Sequence, residues 1–214
     1  MKKVDLLLFD FDGTIADTGA DLVSSVNSTL MSMNLPARTC PEIISFVGDG
    51  VRKLMERALG ERHRERLDEA LDIFSVHYEK HMLDQTVLYP HVEDVLQHFS
   101  AKVKVILTNK RHCFAWSMAR SLGIDRYFLE IVGADSTPYQ KPDRRAAECV
   151  LEKYHVLPQK AVMIGDGIND IAVARNAGIL SLAYLNGLGD RETLLQMNAD
   201  FYCEDLLEMK VLFE

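Results

Sequence analysis

The sequence has no apolar run close to the ~20 residues that a helix needs to cross a bilayer. Its first apolar stretch, residues 4–9, is short, and no small-residue cleavage site follows it. Cysteine is also scarce: the four cysteines are scattered and form no CxxC pair, which argues against a disulfide framework or a zinc site. We therefore expect a cytoplasmic protein with buried, reduced thiols and no membrane partner.

Positive charge is in short supply as well. The chain has 24 Lys and Arg against 32 Asp and Glu, a formal net charge of −8. Surfaces that bind nucleic acid or anionic lipid need clustered Lys and Arg, so we expect no nucleic-acid partner. An anionic substrate would need local positive charge or a metal ion.

The length and composition are those of a protein with a substantial core. With 214 residues, 48% of them hydrophobic and 26% charged, the chain suits one large domain or a main domain with a smaller insert. A mainly disordered or fibrous chain is excluded. Short apolar runs alternate with stretches of helical character, which predicts an α/β protein with a mainly parallel sheet. The runs are residues 4–9, 103–107, 130–132, 161–164 and 179–184.

One segment breaks this alternation. Residues 18–83 contain no convincing strand, but Leu22, Val26 and Leu30 recur at a spacing of four, as apolar residues do on one face of a helix. A second such row includes Phe74 and Tyr78. Thr18 with Asp21 resembles a helix start. We predict a core of residues 1–16 and 86–214, with an inserted α-helical cap of residues 17–85.

The first strand runs into Asp10-Phe11-Asp12-Gly13-Thr14. Residues two apart on a strand face the same side, so Asp10 and Asp12 should converge beyond its carboxyl end, where open α/β sheets bind ligands. Two carboxylates so close repel each other unless a cation or a shared proton offsets the repulsion. A metal site is the simplest remedy.

Three further polar clusters follow predicted strands. They are Thr108-Asn109, Lys141-Pro142 and the run from Gly165 to Asp170. The carboxyl ends of parallel strands share one edge of the sheet, so these clusters could form a single site with Asp10. Carboxylate and other hard oxygen ligands suit Mg²⁺ together with substrate phosphate oxygens. An ionised Asp10 could then attack phosphorus.

With these residues the chain resembles the haloacid dehalogenase-like phosphohydrolase superfamily. Asp10 to Thr14 is similar to its first motif and Thr108 to its second; Lys141 is similar to its third, and Asp166 with Asp170 to its fourth. The four occur in order and span most of the core. The resemblance implies a doubly wound, Rossmann-like sheet, dependence on Mg²⁺ and an aspartyl-phosphate intermediate.

The resemblance also implies roles for individual residues. Asp10 would be the nucleophile and a metal ligand. Asp12 would be the acid that protonates the leaving oxygen and then the base that activates water, and its main-chain carbonyl would bind Mg²⁺. Lys141 would bridge Asp10 and the phosphoryl group. The remaining assignments are Thr108 as a catalytic residue, Thr14, Asn109 and Lys110 at the substrate, and Asp166 and Asp170 at the metal.

The helical insert resembles the small cap of the phosphoglycolate phosphatase and β-phosphoglucomutase branch. The stretch Asp10 to Thr18, the cap's Gly48-Asp49-Gly50 and the run Thr108-Asn109-Lys110 are most similar to phosphoglycolate phosphatases. We therefore expect a small phosphorylated metabolite as substrate, with 2-phosphoglycolate the leading candidate, and a monomer or homodimer. If the cap closes, Gly48 could approach the leaving group closely, and Arg52 or Lys53 could meet a carboxylate.

Three positions depart from the family pattern. His91 replaces a usual glycine after Pro90, Arg144 a common second proline, and Gly167 a frequent Ser or Thr. The Gly-Asp-Gly-x-Asn-Asp form of the fourth motif is more typical of the phosphoserine phosphatase branch. These departures leave the substrate open.

Two alternatives remain at this point. A β-phosphoglucomutase-type enzyme would transfer the phosphoryl group instead of releasing phosphate. A phosphorylation-controlled signalling or binding module would also combine an acceptor aspartate with acidic residues, Thr and Lys, although receiver modules have no helical insert. A dinucleotide site is disfavoured because Asp170 stands where the third glycine of G-x-G-x-x-G belongs.

Overall fold

The computed structural model describes residues 1–214, and a six-stranded parallel sheet lies at its centre. The strands in chain order are β1 (Leu6–Phe9), β2 (Ala16–Asp17), β3 (Val87–Leu88), β4 (Val103–Leu107), β5 (Glu130–Val132), β6 (Ala161–Gly165), β7 (Leu180–Tyr184) and β8 (Phe201–Cys203). The order across the sheet is β5-β4-β1-β6-β7-β8, and β2 and β3 form a separate antiparallel pair. The predicted α/β fold with a doubly wound parallel sheet is confirmed.

Ten helices surround or extend this sheet. They are α1 (Gly19–Ser32), α2 (Cys40–Ser45), α3 (Val51–Leu59), α4 (Leu67–His81), α5 (Val92–His98), α6 (His112–Ser121), α7 (Arg144–Tyr154), α8 (Ile168–Ala177), α9 (Arg191–Gln196) and α10 (Met209–Leu212). The first four make up the helical insertion, which we call the cap. No helix combines the length and the apolar character that a membrane crossing requires.

Strand β1 explains why the sheet is covered on both faces. All four of its residues are buried, but Leu6 and Leu8 pack in a cluster with α7 and α8, whereas Leu7 and Phe9 pack with α5, α6 and the cap. Successive side chains of a strand point to opposite faces, so a continuous apolar run requires helices on both sides. This strand is central, pairing in parallel with β4 and β6.

Two short connections join the cap to the core, and Asp21 ties them together. Strand β2 precedes the cap and β3 follows it, and the two pair directly. The buried carboxylate of Asp21, in the first turn of α1, accepts hydrogen bonds from the backbone amides of Gln85 and Thr86. Helix α1 begins directly after Thr18, where a helix start was expected. Neither Thr18 nor Asp21, however, caps α1 through its side chain. The exact domain boundaries stay a prediction.

The expectation of buried thiols is wrong for three of the four cysteines. All four are free, but only Cys203 is buried, while Cys40, Cys113 and Cys149 are exposed. Cys113 and Cys149 lie on the solvent side of α6 and α7, whose buried faces are filled by other residues. Scattered cysteines exclude a disulfide framework, but their spacing carries no information about burial.

Among the positions with a positive backbone φ, Gly123 and His91 flank helices of the core. Gly123 ends α6 with φ +73°, as expected for a helix stop. His91 has φ +64° at the start of α5. A Cβ makes this conformation costly, which is a physical reason for the glycine that the family resemblance leads us to expect at this position.

Candidate active site

The carboxyl ends of three adjacent strands bring the predicted residues together. Asp10 follows β1, Thr108 follows β4 and Asp166 follows β6, and β1 lies between the other two strands. Lys141 reaches the same edge from the segment between β5 and α7. All four are buried. The crevice at the end of a parallel sheet is therefore lined with polar groups drawn from distant parts of the chain.

Three carboxylates form a cluster that could hold a metal ion. Asp10, Asp166 and Asp170 each offer an oxygen atom, and these oxygens lie within 4.8 Å of one another. Hard oxygen donors in this number are the ligands of Mg²⁺ and similar divalent cations. Gly13 leaves space beside the cluster because it has no side chain: a Cβ at this position would lie 2.0 Å from Asp166 Oδ2. The residues present therefore fit a divalent cation.

Asp166 is held by three donors. The Thr14 hydroxyl donates to Asp166 Oδ1 at 2.7 Å, and the amides of Leu188 and Gly189 donate to Oδ2 at 2.8 and 3.0 Å. Burial and the neighbouring charge of Asp10 nevertheless raise the pKa of Asp166 to about 7. Thr14, predicted at the substrate, is fully buried and contacts the carboxylate cluster. The two backbone donors come from a loop that sequence reasoning did not connect with the site.

Lys141 lies between two carboxylates. Its Nζ is 2.9 Å from Asp10 Oδ1 and 2.5 Å from Asp170 Oδ1. Burial disfavours the ammonium charge, but these two carboxylates raise the pKa of Lys141 above its usual value. Burial and Asp10 raise the pKa of Asp170, and Lys141 partly offsets that effect. Positive charge is thus fixed next to the residue predicted to be the nucleophile.

Asp12 is separate from the carboxylate cluster. Its Oδ1 accepts hydrogen bonds from the Thr18 hydroxyl and from Lys110 Nζ, each at 2.8 Å. Lys110 Nζ also donates to the phenol oxygen of Tyr78, at 2.7 Å. The amine of Lys110, predicted at the substrate, is therefore already bonded within the protein. Burial opposes its charge, but Asp12 and Tyr78 raise the pKa of Lys110.

A cavity of about 50 Å³ lies between the cap and these residues. Apart from Phe114, its walls on the core side are polar and include Asp10, Asp12, Thr108 and Asn109. Its cap side is largely apolar and consists of Leu22, Val47, Gly48, Gly50, Val51, Leu54, Phe74 and Tyr78. A second pocket of about 480 Å³ also reaches Asp10 and Asp12, and it continues past Asp166.

The cap loop around Gly48 contacts the core through two asparagines. Asn109 Nδ2 donates to the Gly48 carbonyl at 2.9 Å, and Asn169 Nδ2 donates to Asp49 Oδ1 at 2.7 Å. Asn109 also exchanges hydrogen bonds with the backbone of Lys141, at 3.0 Å in each direction. Gly48 thus lines the cavity, and Asn109 links it to the Lys141 segment.

The structure does not bring Arg52 and Lys53 to this site. Arg52 pairs with Asp68 at 3.0 Å and Lys53 with Glu56 at 2.8 Å, and both side chains are largely exposed. Neither lines the cavity. Both lie in the first turn of α3, whose buried residues are further along the helix, so these long side chains extend into solvent. Arg111 lines the cavity instead.

The family follows from a direct comparison of sequences. The sequence model of haloacid dehalogenase-like hydrolases matches residues 7–184, which span β1 to β7 and include every residue of the carboxylate cluster. The chain belongs to this family.

The similarity to other haloacid dehalogenase-like hydrolases extends over nearly the whole chain. A phosphoglycolate phosphatase from Agrobacterium fabrum is 33% identical over 216 residues, covering 98% of this chain and 92% of that protein. One from Psychrobacter arcticus is 36% identical over 203 residues, covering 90% and 88%. A crystal structure described as a "predicted phosphoglycolate phosphatase", from Haemophilus somnus 129pt, has a TM-score of 0.94 at 25% identity and covers 99% of both chains.

Three residues of this haloacid dehalogenase-like hydrolase acquire significance only in the structure. Tyr78 belongs to an apolar row on α4, and nothing in that spacing shows that its hydroxyl meets Lys110. Thr18 has the position of a helix cap but donates to Asp12. Asn169 is part of the fourth motif, but no role was predicted for its side chain, which donates to Gly48 and Asp49 of the cap loop.

Proposed function

We propose that the protein is a Mg²⁺-dependent phosphatase that hydrolyses a small phosphate ester through an aspartyl-phosphate, with 2-phosphoglycolate as the leading substrate. One observation carries the proposal: Asp10 lies 2.9 Å from Lys141, next to Asp166 and Asp170, and Asp10 and Asp12 line the same cavity. The set combines a nucleophile, fixed positive charge, a metal site and an acid in one crevice.

The hydrogen bonds of Asp10 favour one of its oxygens as the nucleophile. Oδ1 accepts from the Phe11 amide at 2.7 Å and lies next to Lys141 Nζ, whereas Oδ2 accepts no hydrogen bond from the protein. We assign the attack on phosphorus to Oδ2. A bond forms between this oxygen and phosphorus while the ester oxygen leaves, and Asp12 gives that oxygen its proton.

The second half of the reaction restores the enzyme. Asp12, now ionised, takes a proton from water, and the water oxygen attacks phosphorus. The bond between phosphorus and Asp10 breaks, which releases inorganic phosphate and regenerates the carboxylate. Thr108 and Asn109, which line the cavity, would hold the phosphoryl oxygens.

Asp10, Asp166 and Asp170 would hold Mg²⁺, and we keep the backbone carbonyl of Asp12 as a further proposed ligand. When bound, the ion supplies positive charge that reduces repulsion between the carboxylates and an anionic phosphoryl group. Lys141 contributes in the same direction, because both its carboxylate neighbours are in the cluster.

The choice of 2-phosphoglycolate rests on the relatives and on one cation. The leaving group of this substrate carries a carboxylate, and of the residues lining the cavity only Lys110 and Arg111 are cations. Lys110 is already bonded to Asp12 and Tyr78. Arg111 has only a distant anionic partner, with its Nε 3.8 Å from Asp135 Oδ2, and its side chain is about half exposed. We propose that Arg111 binds the carboxylate.

The test is phosphate release from a panel of small esters, with and without Mg²⁺. We expect turnover of 2-phosphoglycolate that needs the ion and disappears in Asp10→Asn, which lacks the nucleophile. Asp12→Asn should slow formation or breakdown of the intermediate. Asp72→Asn, an exposed site on α4, serves as the matched control.

Three results would contradict the proposal. Near-normal activity of Asp10→Asn would remove the nucleophile assignment. Isomerisation of a sugar phosphate without accumulation of inorganic phosphate would indicate a mutase. Stable labelling of Asp10 by a phosphate donor, without turnover of any ester, would indicate a signalling module.

A further inference from the structure

We propose that Tyr78 of the cap is a positioning residue for Asp12, and that it acts through Lys110. This inference rests on the proposed phosphatase function. It adds that protonation of the leaving group depends on a contact across the boundary between cap and core, one that is made by a residue outside the four sequence motifs.

The contact is short and buried. Tyr78 lies on α4 and is 1% exposed, and its phenol oxygen accepts a hydrogen bond of 2.7 Å from Lys110 Nζ. Lys110 belongs to the core segment that follows β4, and its side chain is 5% exposed. The same ammonium group lies 4.7 Å from the centre of the Tyr78 ring. A cap residue therefore supplies two attractive interactions to one core cation.

The phenol ring itself has little freedom. It stacks on Phe74 with ring centres 5.1 Å apart and meets Phe114 edge-on at 5.3 Å. Its hydroxyl hydrogen is directed to the sulfur of Met118, 3.8 Å away. The oxygen is thereby left as an acceptor for Lys110, and the ring packing fixes where that acceptor lies.

Lys110, held by Tyr78, in turn fixes the orientation of the Asp12 carboxyl group. The Oδ1 atom of Asp12 accepts from both Lys110 and Thr18, whereas Oδ2 accepts no hydrogen bond from the protein. Two donors on one oxygen hold the carboxyl group against rotation, so that Oδ2 is the oxygen available to carry the transferred proton. Thr18 immediately precedes α1, so both donors to Asp12 depend on cap elements for their positions.

The expected consequence is a selective loss of activity. An alkoxide leaving group needs a proton from Asp12, whereas acetate leaves acetyl phosphate without one. The kcat/KM value reports the steps up to formation of the aspartyl-phosphate and so isolates the first half of the reaction. Removing the phenol oxygen should therefore reduce kcat/KM for an alkyl ester more than for acetyl phosphate.

The experiment compares Tyr78→Phe with the wild type on 2-phosphoglycolate, or on the best alkyl ester of the panel, and on acetyl phosphate. We expect the ratio of the two kcat/KM values to fall about tenfold, a fraction of the 10²–10⁴ that a positioned acid typically contributes. Tyr127→Phe is the matched control, because this hydroxyl contacts Arg126 on the surface of the core. Its ratio should not change.

A double-mutant cycle tests the route through Lys110. In a Lys110→Met background, Tyr78→Phe should change the ratio no further. Additive effects of the two substitutions, an unchanged ratio in Tyr78→Phe, or equal losses for both substrates would each overturn the inference. A wild type that releases phosphate from neither substrate would instead refute the proposed function, so the two failures can be told apart.

Discussion

The side-chain amide of Asn169 donates a hydrogen bond of 2.7 Å to the carboxylate of Asp49. Asn169 lies in the first turn of α8 in the core, and Asp49 lies in the cap loop between α2 and α3. The same amide also donates to the Gly48 carbonyl at 3.2 Å. Asn169, together with Asn109, therefore attaches to the core the loop that lines both the cavity and the second pocket.

Replacing Asn169 by Ala should loosen this attachment. A hydrogen bond contributes about 1 kcal/mol, so we expect docking of the cap loop to weaken about fivefold for each bond lost. Hydrogen exchange at the amides of α3 should then become faster by about fivefold for each bond lost. Asn176→Ala, which removes an exposed amide on the same helix that bonds Pro142 in the core, is the control. Unchanged exchange in Asn169→Ala would mean that other contacts hold the loop.

Arg111→Met should discriminate between substrates. It retains much of the length of the side chain but removes the charge that we propose meets a carboxylate. We expect KM for 2-phosphoglycolate to rise about tenfold, as for loss of one charged hydrogen bond of about 1.5 kcal/mol, with little change for ethyl phosphate. Steady-state kinetics on the two esters measures this. Equal effects on both would assign Arg111 to the phosphoryl group or to structure.

The pKa of Asp166 predicts how pH affects metal binding. A pKa of about 7 in the metal-free protein means that an ion competes with a proton at this carboxylate. Apparent affinity for Mg²⁺ should therefore rise about tenfold from pH ~6 to pH ~8. Thermal unfolding with and without the ion checks this, and the stabilisation should be larger at the higher pH. A pH-independent effect would contradict it.

In the metal-free protein, titration of Asp166 should instead lower the free energy of unfolding as the pH rises. Because the native pKa of Asp166 is above its usual 3.8, the folded state binds the proton more tightly than the unfolded state. The contribution of this group to stability is complete below pH ~4 and declines as the pH rises towards 7. Chemical denaturation of Asp166→Asn, which cannot titrate there, should lack this component.

Gly13→Ala should disrupt the carboxylate cluster. Gly13 has φ +81°, and an added Cβ would overlap Asp166 Oδ2. Gly123→Ala is an informative control because Gly123 has a similar φ of +73° with nothing within 4 Å of the added atom. We expect each to cost about 1 kcal/mol for the left-handed backbone, and only Gly13→Ala to lose stabilisation by Mg²⁺. Calorimetric unfolding with and without the ion distinguishes them.

Sequence alone was sufficient for five of the six strands of the central sheet. The runs at residues 103–107 and 130–132 coincide with β4 and β5, because buried parallel strands are continuous apolar segments between polar ones. It was insufficient for β8, where Phe201–Cys203 is too short to stand out from its surroundings. The pair of β2 and β3 was missed for the same reason: two residues on each side give no periodicity.

The candidate site likewise contains residues that the sequence could predict and residues that it could not. The sequence predicted that Asp10, Asp166 and Lys141 meet at one edge of the sheet, because each follows a strand and the carboxyl ends of parallel strands share that edge. The cap residues could not be found in this way, since the orientation of a helix over a sheet depends on packing between distant surfaces. Arg52 and Lys53 were chosen for charge and proximity in sequence, but α3 directs them into solvent, whereas Tyr78 has no charge and meets the site.

The exposed cysteines give the molecule a set of native labelling positions. Cys40 begins α2 in the cap, while Cys113 and Cys149 lie on core helices, and burial raises the pKa of the Cys203 thiol to about 12. Since the thiolate is the reactive form, dyes should modify the three exposed sites and spare the fourth. With Cys149→Ser, a donor and an acceptor on Cys40 and Cys113 would report any change in the distance between cap and core by energy transfer, with no foreign cysteine introduced.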